Sequence, residues 1–227
     1  MKKYSINHNE IGEAFWRRIF ASAEAFSYRK DELKKTLALQ DSLRPKADYN
    51  TGSIDSCTEW ALYSIVSYFR PKTILEIGTF IGKSTTSMAL ALDHMGCPGL
   101  IQTCDHSNGF DIGWSGKTKI IQNFKTNSTE MLLKINATQD LLFVDGRLND
   151  ADLRILQTEN FQNTVIIFDD TLGTEKGVVN QVLVDQNIKD RVTISPPSSD
   201  ILKTYNFYFP SVVSLSLPLS MLSIMRA

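Results

Sequence analysis

The sequence has little of what marks a secreted, metal-chelating or nucleic-acid-binding protein. Three cysteines occur among 227 residues, and Cys57, Cys97 and Cys104 show neither metal-ligand spacing nor an even number for pairing. We therefore expect free thiols in a reducing compartment, which predicts a cytoplasmic protein. The formal net charge is −1, which argues against nucleic acid as the main partner.

Long apolar runs are also missing. The first twelve residues, MKKYSINHNEIG, contain no apolar core of the kind that a secretory signal requires. The most apolar stretch, residues 207–225, is interrupted by Pro210, Pro218 and five serines, so it does not read as a membrane span. We expect no membrane partner for this chain.

The sequence does contain an alternation of short apolar runs with segments of helical character. Four runs have the length and composition of strands buried on both faces: residues 73–78, 100–105, 140–146 and 164–170. Helix-like segments follow them at residues 83–95, 128–135, 150–157 and 175–188. This alternation predicts an α/β fold, doubly wound around a mostly parallel sheet.

Both ends of the chain differ from this pattern. Residues 10–43 carry apolar groups at helical spacing and predict an N-terminal helical appendage over residues 1–50, ahead of a main domain at 51–227. A further helix begins near Asp55 and stops before a proline. Near the other end, residues 215–221 alternate Leu and Met with Ser and Pro, which suggests terminal strands antiparallel to the rest.

The loop after the first predicted strand, in the sequence LEIGTFIGKST (75–85), has features of three ligand sites. A phosphate loop requires four residues before its Gly-Lys pair, but only three separate Gly78 from Gly82. A nucleotide-binding module using Lys83 and Asp169 is therefore the alternative, not the leading hypothesis. A dinucleotide fingerprint requires glycine at the position that Phe80 occupies.

An acid followed by a glycine bend suits a cofactor that carries a cation and a ribose but no phosphate. Glu76 would supply negative charge, while Gly78 and Gly82 would let the cofactor approach the backbone. Asp105 ends the second predicted strand, 23 positions after Gly82, close to where an acid binds ribose hydroxyls in such folds.

Taken in order, LEIGTFIGKST and the CDHS sequence at 104–107 resemble the class I S-adenosylmethionine-dependent methyltransferases, in particular their small O-methyltransferase branch. The likeness extends over about residues 55–185. It implies a Rossmann-like methyltransferase fold with a seven-stranded sheet, and S-adenosylmethionine as cofactor. The cofactor-binding residues it implies are Glu76, Gly78, Thr79, Gly82, Ser84, Asp105, His106, Ser128 and Asp145.

The chain departs from the resemblance at Asn127 and Ser128, where the family usually has a Gly-Asp or similar pair near the adenine. Ser128 therefore has two interpretations. It either contacts the adenosine or serves as the N-cap of the helix predicted at 128–135.

Three acids, Asp145, Asp169 and Asp170, stand at the carboxyl ends of two predicted strands. Carboxylates gathered at one sheet edge repel one another unless a cation neutralises them, and oxygen ligands without histidine suit Mg²⁺. The pattern resembles the metal-dependent O-methyltransferases, both of catechol type and those acting on antibiotic sugars. The alternative is that these acids only cap the helices that follow.

The general base is where the resemblance fails. Catechol-type enzymes have a lysine three residues after the first metal-binding Asp, and here that position is Leu148. Arg147 stands where sugar-modifying enzymes often have Asp, and arginine stays protonated. The candidate catalytic groups are Asp145, Asp169 and His106, and a cofactor-binding but inactive relative remains open.

The expected acceptor is a small molecule with a hydroxyl group. The N-terminal helices and residues 106–119 are predicted to cover it, with Phe110 and Trp114 as apolar contacts, although Trp114 could equally tether a surface loop. In WRRIF (16–20) the apolar side of a helix could meet a second subunit, so the sequence also suggests a homodimer.

Overall fold

The computed structural model of the chain describes residues 8–24, 30–47, 52–109, 111–205 and 213–221. Within these ranges, seven strands form one sheet: β1 (Thr73–Ile77), β2 (Leu100–Cys104), β3 (Lys119–Asn123), β4 (Leu141–Val144), β5 (Val165–Phe168), β6 (Arg191–Ile194) and β7 (Ser214–Pro218). The described residues also form eight α-helices: α1 (His8–Glu24), α2 (Lys30–Asp41), α3 (Ser56–Phe69), α4 (Lys83–His94), α5 (Ser128–Leu133), α6 (Asp150–Leu156), α7 (Lys176–Asn187) and α8 (Ser199–Thr204).

The strand order is β3-β2-β1-β4-β5-β7-β6. All neighbours from β3 to β5 are parallel, while β7 runs antiparallel to both β5 and β6. The order reverses beside β1, and ligands in open α/β sheets bind at the carboxyl ends of the strands at such a point. The predicted doubly wound, mostly parallel, seven-stranded sheet is confirmed.

Successive residues of the central strands point to opposite faces of the sheet, and each face has its own apolar core. Ile74 and Phe143 pack into a core shared with α1, α3 and α4, whereas Leu75 and Leu142 pack into a second core with α5 and α6. β1 and β4 are buried on both faces, so their sequences are mostly apolar, and this is the pattern that predicted them as strands.

The predicted helices at 83–95, 128–135, 150–157 and 175–188 are present as α4 to α7. Asp55 caps α3, because its side chain accepts a hydrogen bond from the Thr58 backbone N–H at 2.7 Å. The pattern did not predict β3, β6 or α8. It also extended the last strand too far, since β7 ends at Pro218 and Leu219–Met221 is a 3-10 turn.

The two N-terminal helices pack directly on the rest of the fold. Trp16, Ile19 and Phe20 are buried, and the Trp16 indole donates a hydrogen bond to the Ser195 carbonyl at 2.8 Å. The apolar side of α1 thus faces α3 and α8 within the same chain. The homodimer and the boundary between two domains at residue 50 stay predictions. None of the helices in the described ranges is both long and apolar enough to cross a bilayer.

Candidate active site

A cavity of about 300 Å³ opens at the carboxyl ends of β1, β2 and β4. Five of the residues predicted to bind the cofactor line it: Gly78, Asp105, His106, Ser128 and Asp145. The other lining residues are Gly52, Ile77, Phe80, Cys104, Thr126, Asn127, Gly146, Arg147 and Lys176. The cavity therefore joins the glycine bend, the predicted ribose acid and the first of the three carboxylates.

Gly78 makes the bend that opens this cavity. Its φ of 101° is rare for residues with a side chain, and a Cβ there would lie 3.3 Å from the Asp145 carbonyl carbon. The Gly78 N–H donates to the Cys104 carbonyl at 3.0 Å, which ties the bend to the end of β2. Gly78 thus lets the chain turn where β1, β2 and β4 end side by side.

Asp105 connects the two loops that border the cavity. Its carboxylate accepts hydrogen bonds from the backbone N–H groups of Phe80 at 2.8 Å and Ser107 at 2.9 Å. His106 Nδ1 lies 3.8 Å from the same carboxylate, and its side chain is 81% exposed. A carboxylate oriented by two backbone donors at a cavity wall is well placed to accept hydrogen bonds from ribose hydroxyls.

Glu76, Thr79, Gly82 and Ser84 do not line the cavity. Glu76 is fully buried and accepts a hydrogen bond from Thr85 Oγ1, while its Oε1 has no hydrogen-bond partner among the described residues. Burial raises the pKa of Glu76 to about 7, and the neighbouring hydroxyl groups act against that rise.

Gly82 and Thr79 serve the packing of the same loop. A Cβ on Gly82 would lie 2.7 Å from Ile112 Cγ2, so a protein side chain occupies the space predicted for a cofactor. The Thr79 hydroxyl is hydrogen-bonded to that of Thr103. These contacts hold the loop in shape beneath the cavity floor.

Lys83, the lysine of the phosphate-loop alternative, is directed away from the cavity. Its Nζ lies 3.0 Å from Glu59 Oε1 and 3.3 Å from Asp41 Oδ2. The ammonium thereby ties α4 to α3 and α2, and it is not among the groups lining the cavity. This geometry does not favour phosphate binding at the loop.

The start of α5 shows that Ser128 is not the N-cap of this helix, which was one of its two predicted roles. Asn127 is the N-cap, because its side chain accepts from the Glu130 N–H at 2.9 Å and Glu130 bonds back to the Asn127 N–H. The Ser128 hydroxyl instead donates to Asp152 at 2.8 Å. Ser128 still borders the cavity, beside the side chain that does cap the helix.

The three predicted carboxylates converge. Asp145, Asp169 and Asp170 each offer an oxygen that lies within 4.8 Å of those of the other two. Asp169 is 3% exposed, and its Oδ1 has no hydrogen-bond partner within the described ranges. Burial raises the pKa of Asp169 well above its ordinary value, and the charges of Asp145 and Asp170 add to the rise. The pKa of Asp145 is raised to about 6, mainly by burial, with Lys176 acting against the rise.

Lys176, which the sequence did not single out, lies among these acids. Its Nζ is 2.6 Å from Asp145 Oδ1 and 3.1 Å from Asp170 Oδ2. Burial lowers the pKa of Lys176, but the two carboxylates outweigh burial and raise it overall. The lysine is therefore a cation at neutral pH.

Gly177 is a second residue that the sequence did not single out. A Cβ at this position would lie 1.7 Å from the Asp169 carbonyl oxygen and 2.7 Å from that of Asp170. Only glycine allows the first turn of α7 to pack so closely on the Asp-Asp pair. Gly177 thus brings Lys176 within reach of the carboxylates. The feature of the sequence that could have predicted this contact is a Lys-Gly pair seven residues after the Asp-Asp pair.

The remaining candidates are separated by their surroundings. Leu148 is buried in the second core, so the position of the expected base is apolar packing. Arg147 lines the cavity, and the ion pair of Asp145 is with Lys176. Burial raises the pKa of the Cys104 thiol to about 12, which removes it as a nucleophile.

The segment 106–119 is only partly a cavity wall. Trp114 donates through its indole to the Thr118 carbonyl at 2.9 Å and packs against the first core. It does not line the cavity, which agrees with the loop-tether interpretation. Phe110, the other predicted apolar contact, lies outside the described residues.

The fold is shared with solved structures of O-methyltransferases. The O-methyltransferase from Bacillus cereus in complex with SAH matches with a TM-score of 0.57 at 16% identity, over 88% of this chain and 99% of that chain. TomG, an O-methyltransferase from Streptomyces achromogenes involved in tomaymycin synthesis and solved with SAM, matches at 0.53 and 16%, over 82% and 88%. SAH-bound methyltransferase PaMTH1 from Podospora anserina matches at 0.53 and 14%, over 87% and 95%. No family model matches the chain, and no curated protein matches it in sequence.

Proposed function

We propose that this chain transfers the methyl group of S-adenosylmethionine to a hydroxyl group of a small molecule. One observation carries the proposal. The glycine bend at Gly78, the oriented carboxylate of Asp105 and Asp145, the member of the acidic cluster that lines the cavity, all border a single cavity at the sheet edge. The likeness of the fold to O-methyltransferases solved with SAM or SAH supports it.

The arrangement suits a cationic cofactor. Asp105 would accept hydrogen bonds from the ribose, and the Gly78 bend would let the methionine part pass close to the backbone. Asp105 places a negative charge on the cavity wall close to the Gly78 bend, which favours a sulfonium over a phosphate at that end, while Lys176 and Arg147 balance the charge around Asp145. The buried Glu76 adds negative potential from behind the loop once it is ionised.

Methyl transfer by backside attack depends mainly on alignment of the acceptor oxygen with the sulfonium methyl. The acceptor would enter beside Asp145, Arg147 and Lys176, the other charged groups that line the cavity. Arg147 and Lys176 would orient the acceptor oxygen and stabilise negative charge that develops on it. His106, exposed at the rim, is the remaining candidate to accept the hydroxyl proton.

We further propose that Asp145, Asp169 and Asp170 can hold a divalent cation such as Mg²⁺. The donor set fits, since all three ligands are carboxylate oxygens close together and Asp169 Oδ1 is buried without a partner among the residues described. A bound ion would supply Lewis-acid activation of the acceptor hydroxyl. The protein's own contribution is to hold the three carboxylates together, with Asp145 at the cavity wall.

Cofactor choice is tested by calorimetric titration of the protein with S-adenosylmethionine and, separately, with ATP. We expect a saturable response to S-adenosylmethionine and none to ATP. Binding of ATP without binding of S-adenosylmethionine would sink the proposal and favour the nucleotide-binding alternative.

The reaction is tested with isotope-labelled methyl donor and a set of hydroxylated aromatic and sugar acceptors, followed by mass spectrometry. The expected result is transfer of the label to an oxygen of at least one acceptor, reduced by EDTA and by Asp169→Asn. Cofactor binding without transfer to any acceptor would indicate an inactive relative. Transfer that is indifferent to both EDTA and the substitution would leave methyl transfer standing and remove the metal.

We also propose that the protein works in the cytoplasm. Cys57, Cys97 and Cys104 form no disulfide within the described residues, as expected in a reducing compartment. Fractionation of the producing cells with an antibody to the chain would test the location.

A further inference from the structure

Lys176 occupies the space between two of the three clustered carboxylates. Its Nζ is 2.6 Å from Asp145 Oδ1 and 3.1 Å from Asp170 Oδ2, so one ammonium bridges both acids. The bridge is built into the fold, because Gly177 lets the first turn of α7 pack on the Asp169 carbonyl. A freely moving surface lysine would not be held by its backbone in this way.

The third carboxylate has no such partner. Asp169 is 3% exposed, and its Oδ1 accepts no hydrogen bond within the described parts of the chain. The cluster thus sets three carboxylates against one bridging ammonium. A buried carboxylate with one oxygen lacking a hydrogen bond, in a group of three whose oxygens lie within 4.8 Å of one another, is what a divalent cation would complete.

We infer that Lys176 is the internal counter-ion of this cluster and competes with a divalent cation for Asp145 and Asp170. The inference rests on the metal-binding part of the proposed function. Mg²⁺ binds carboxylate oxygens at about 2.0–2.1 Å, through the lone pairs that the ammonium uses here. Two cations so close together also repel each other, so the metal enters only when Nζ leaves the bridge.

The displaced ammonium of Lys176 has space to move into. Lys176 already lines the cavity, so its ammonium can turn from the carboxylates toward the space proposed for the acceptor. The metal-free site is thereby closed by lysine, and the metal-loaded site presents the lysine to the acceptor. Metal affinity and acceptor binding are coupled through this one side chain.

The test is calorimetric titration of Mn²⁺ and Mg²⁺ into the wild-type chain, Lys176→Gln and Lys176→Arg. Removing the ammonium should tighten metal binding by at least about tenfold, while arginine, which keeps the charge, should not. Lys189→Gln is the matched control, because it removes the same charge from an exposed position outside the cavity. If Lys176→Gln does not fold, Lys176→Met repeats the test.

A second readout uses the wild-type protein. The side-chain nitrogen signal of Lys176 in NMR should shift when Mg²⁺ saturates the site, and a signal unmoved at saturation overturns the inference. Equal or weaker metal binding by Lys176→Gln, with binding still lost in Asp169→Asn, also overturns it while the metal site survives. If no variant binds metal, both fail, yet titration with S-adenosylmethionine still tests the methyl-donor part separately.

Discussion

Lys83 Nζ lies 3.0 Å from Glu59 Oε1, in an ion pair whose carboxylate side chain is only 7% exposed. Burial raises the pKa of Glu59 to about 7, and Lys83 acts against that rise. The lysine of the GKS sequence therefore stabilises a buried acid between α3 and α4.

Replacing Lys83 by Met should destabilise the protein by about 2–4 kcal/mol, because it leaves Glu59 buried without its cation. Chemical denaturation monitored by circular dichroism measures the effect. The double variant Lys83→Met with Glu59→Gln should recover most of the loss, since neither charge then remains. A single variant as stable as the wild type would show that the pair contributes nothing.

Glu76→Gln should make the stability of the protein less dependent on pH. Between pH 4.5, where the unfolded carboxyl ionises, and about 7, the folded carboxyl keeps its proton, so rising pH lowers the free energy of unfolding of the wild type. The amide cannot ionise, so the variant does not lose this stability as the pH rises. Its free energy of unfolding, relative to that of the wild type, should increase by about 1–3 kcal/mol from pH 4.5 to pH 7.5. Urea denaturation at both pH values, in the absence of cofactor, provides the comparison.

Gly177→Ala should disrupt the carboxylate cluster, because the new Cβ collides with the Asp169 carbonyl oxygen at 1.7 Å. We expect a loss of about 2–3 kcal/mol in stability together with a large loss of methyl transfer. Gly12→Ala is the control for the same substitution in a helix, since a Cβ there meets no atom of the described residues within 4 Å. That variant should be neutral or more stable, by up to about 1 kcal/mol.

Asp105→Asn should weaken binding of S-adenosylmethionine about tenfold or more, because the amide loses the charge and keeps an acceptor for only one of the Phe80 and Ser107 donors, which bind different carboxylate oxygens. Asp111→Asn is the control, because Asp111 lies in the same connection between β2 and β3 but is exposed and outside the cavity. Titration calorimetry gives both affinities. Equal losses in the two variants would remove Asp105 from the cofactor site.

The central strands were predictable from the sequence, and the edge strands were not. β1 and β4 are buried on both faces and appear as mostly apolar runs, whereas β3 and β6 are mostly half-exposed and carry Lys119, Gln122 and Arg191. A strand with polar groups on an accessible face gives no such run. The hydrophobic pattern therefore predicts the middle of this sheet better than its borders.

The site divides in the same way. Asp105 and Asp145 end strands, so their meeting at one cavity follows from the sheet alone. Lys176 reaches Asp145 only because α7 packs closely on the Asp169 carbonyl, a tertiary contact without a sequence period. Likewise Glu76 and Ser84 belong to the right motif, but their burial places them behind the cavity.

The antiparallel placement of β7 has a consequence for how the molecule assembles. β6 pairs with β7 and with no other strand of the described sheet, and β7 in turn pairs with β5. During synthesis, residues 191–194 must therefore wait for residues 214–218 to emerge before they can dock. The parallel part of the sheet, from β3 to β5, can form first, and β6 and β7 are added last.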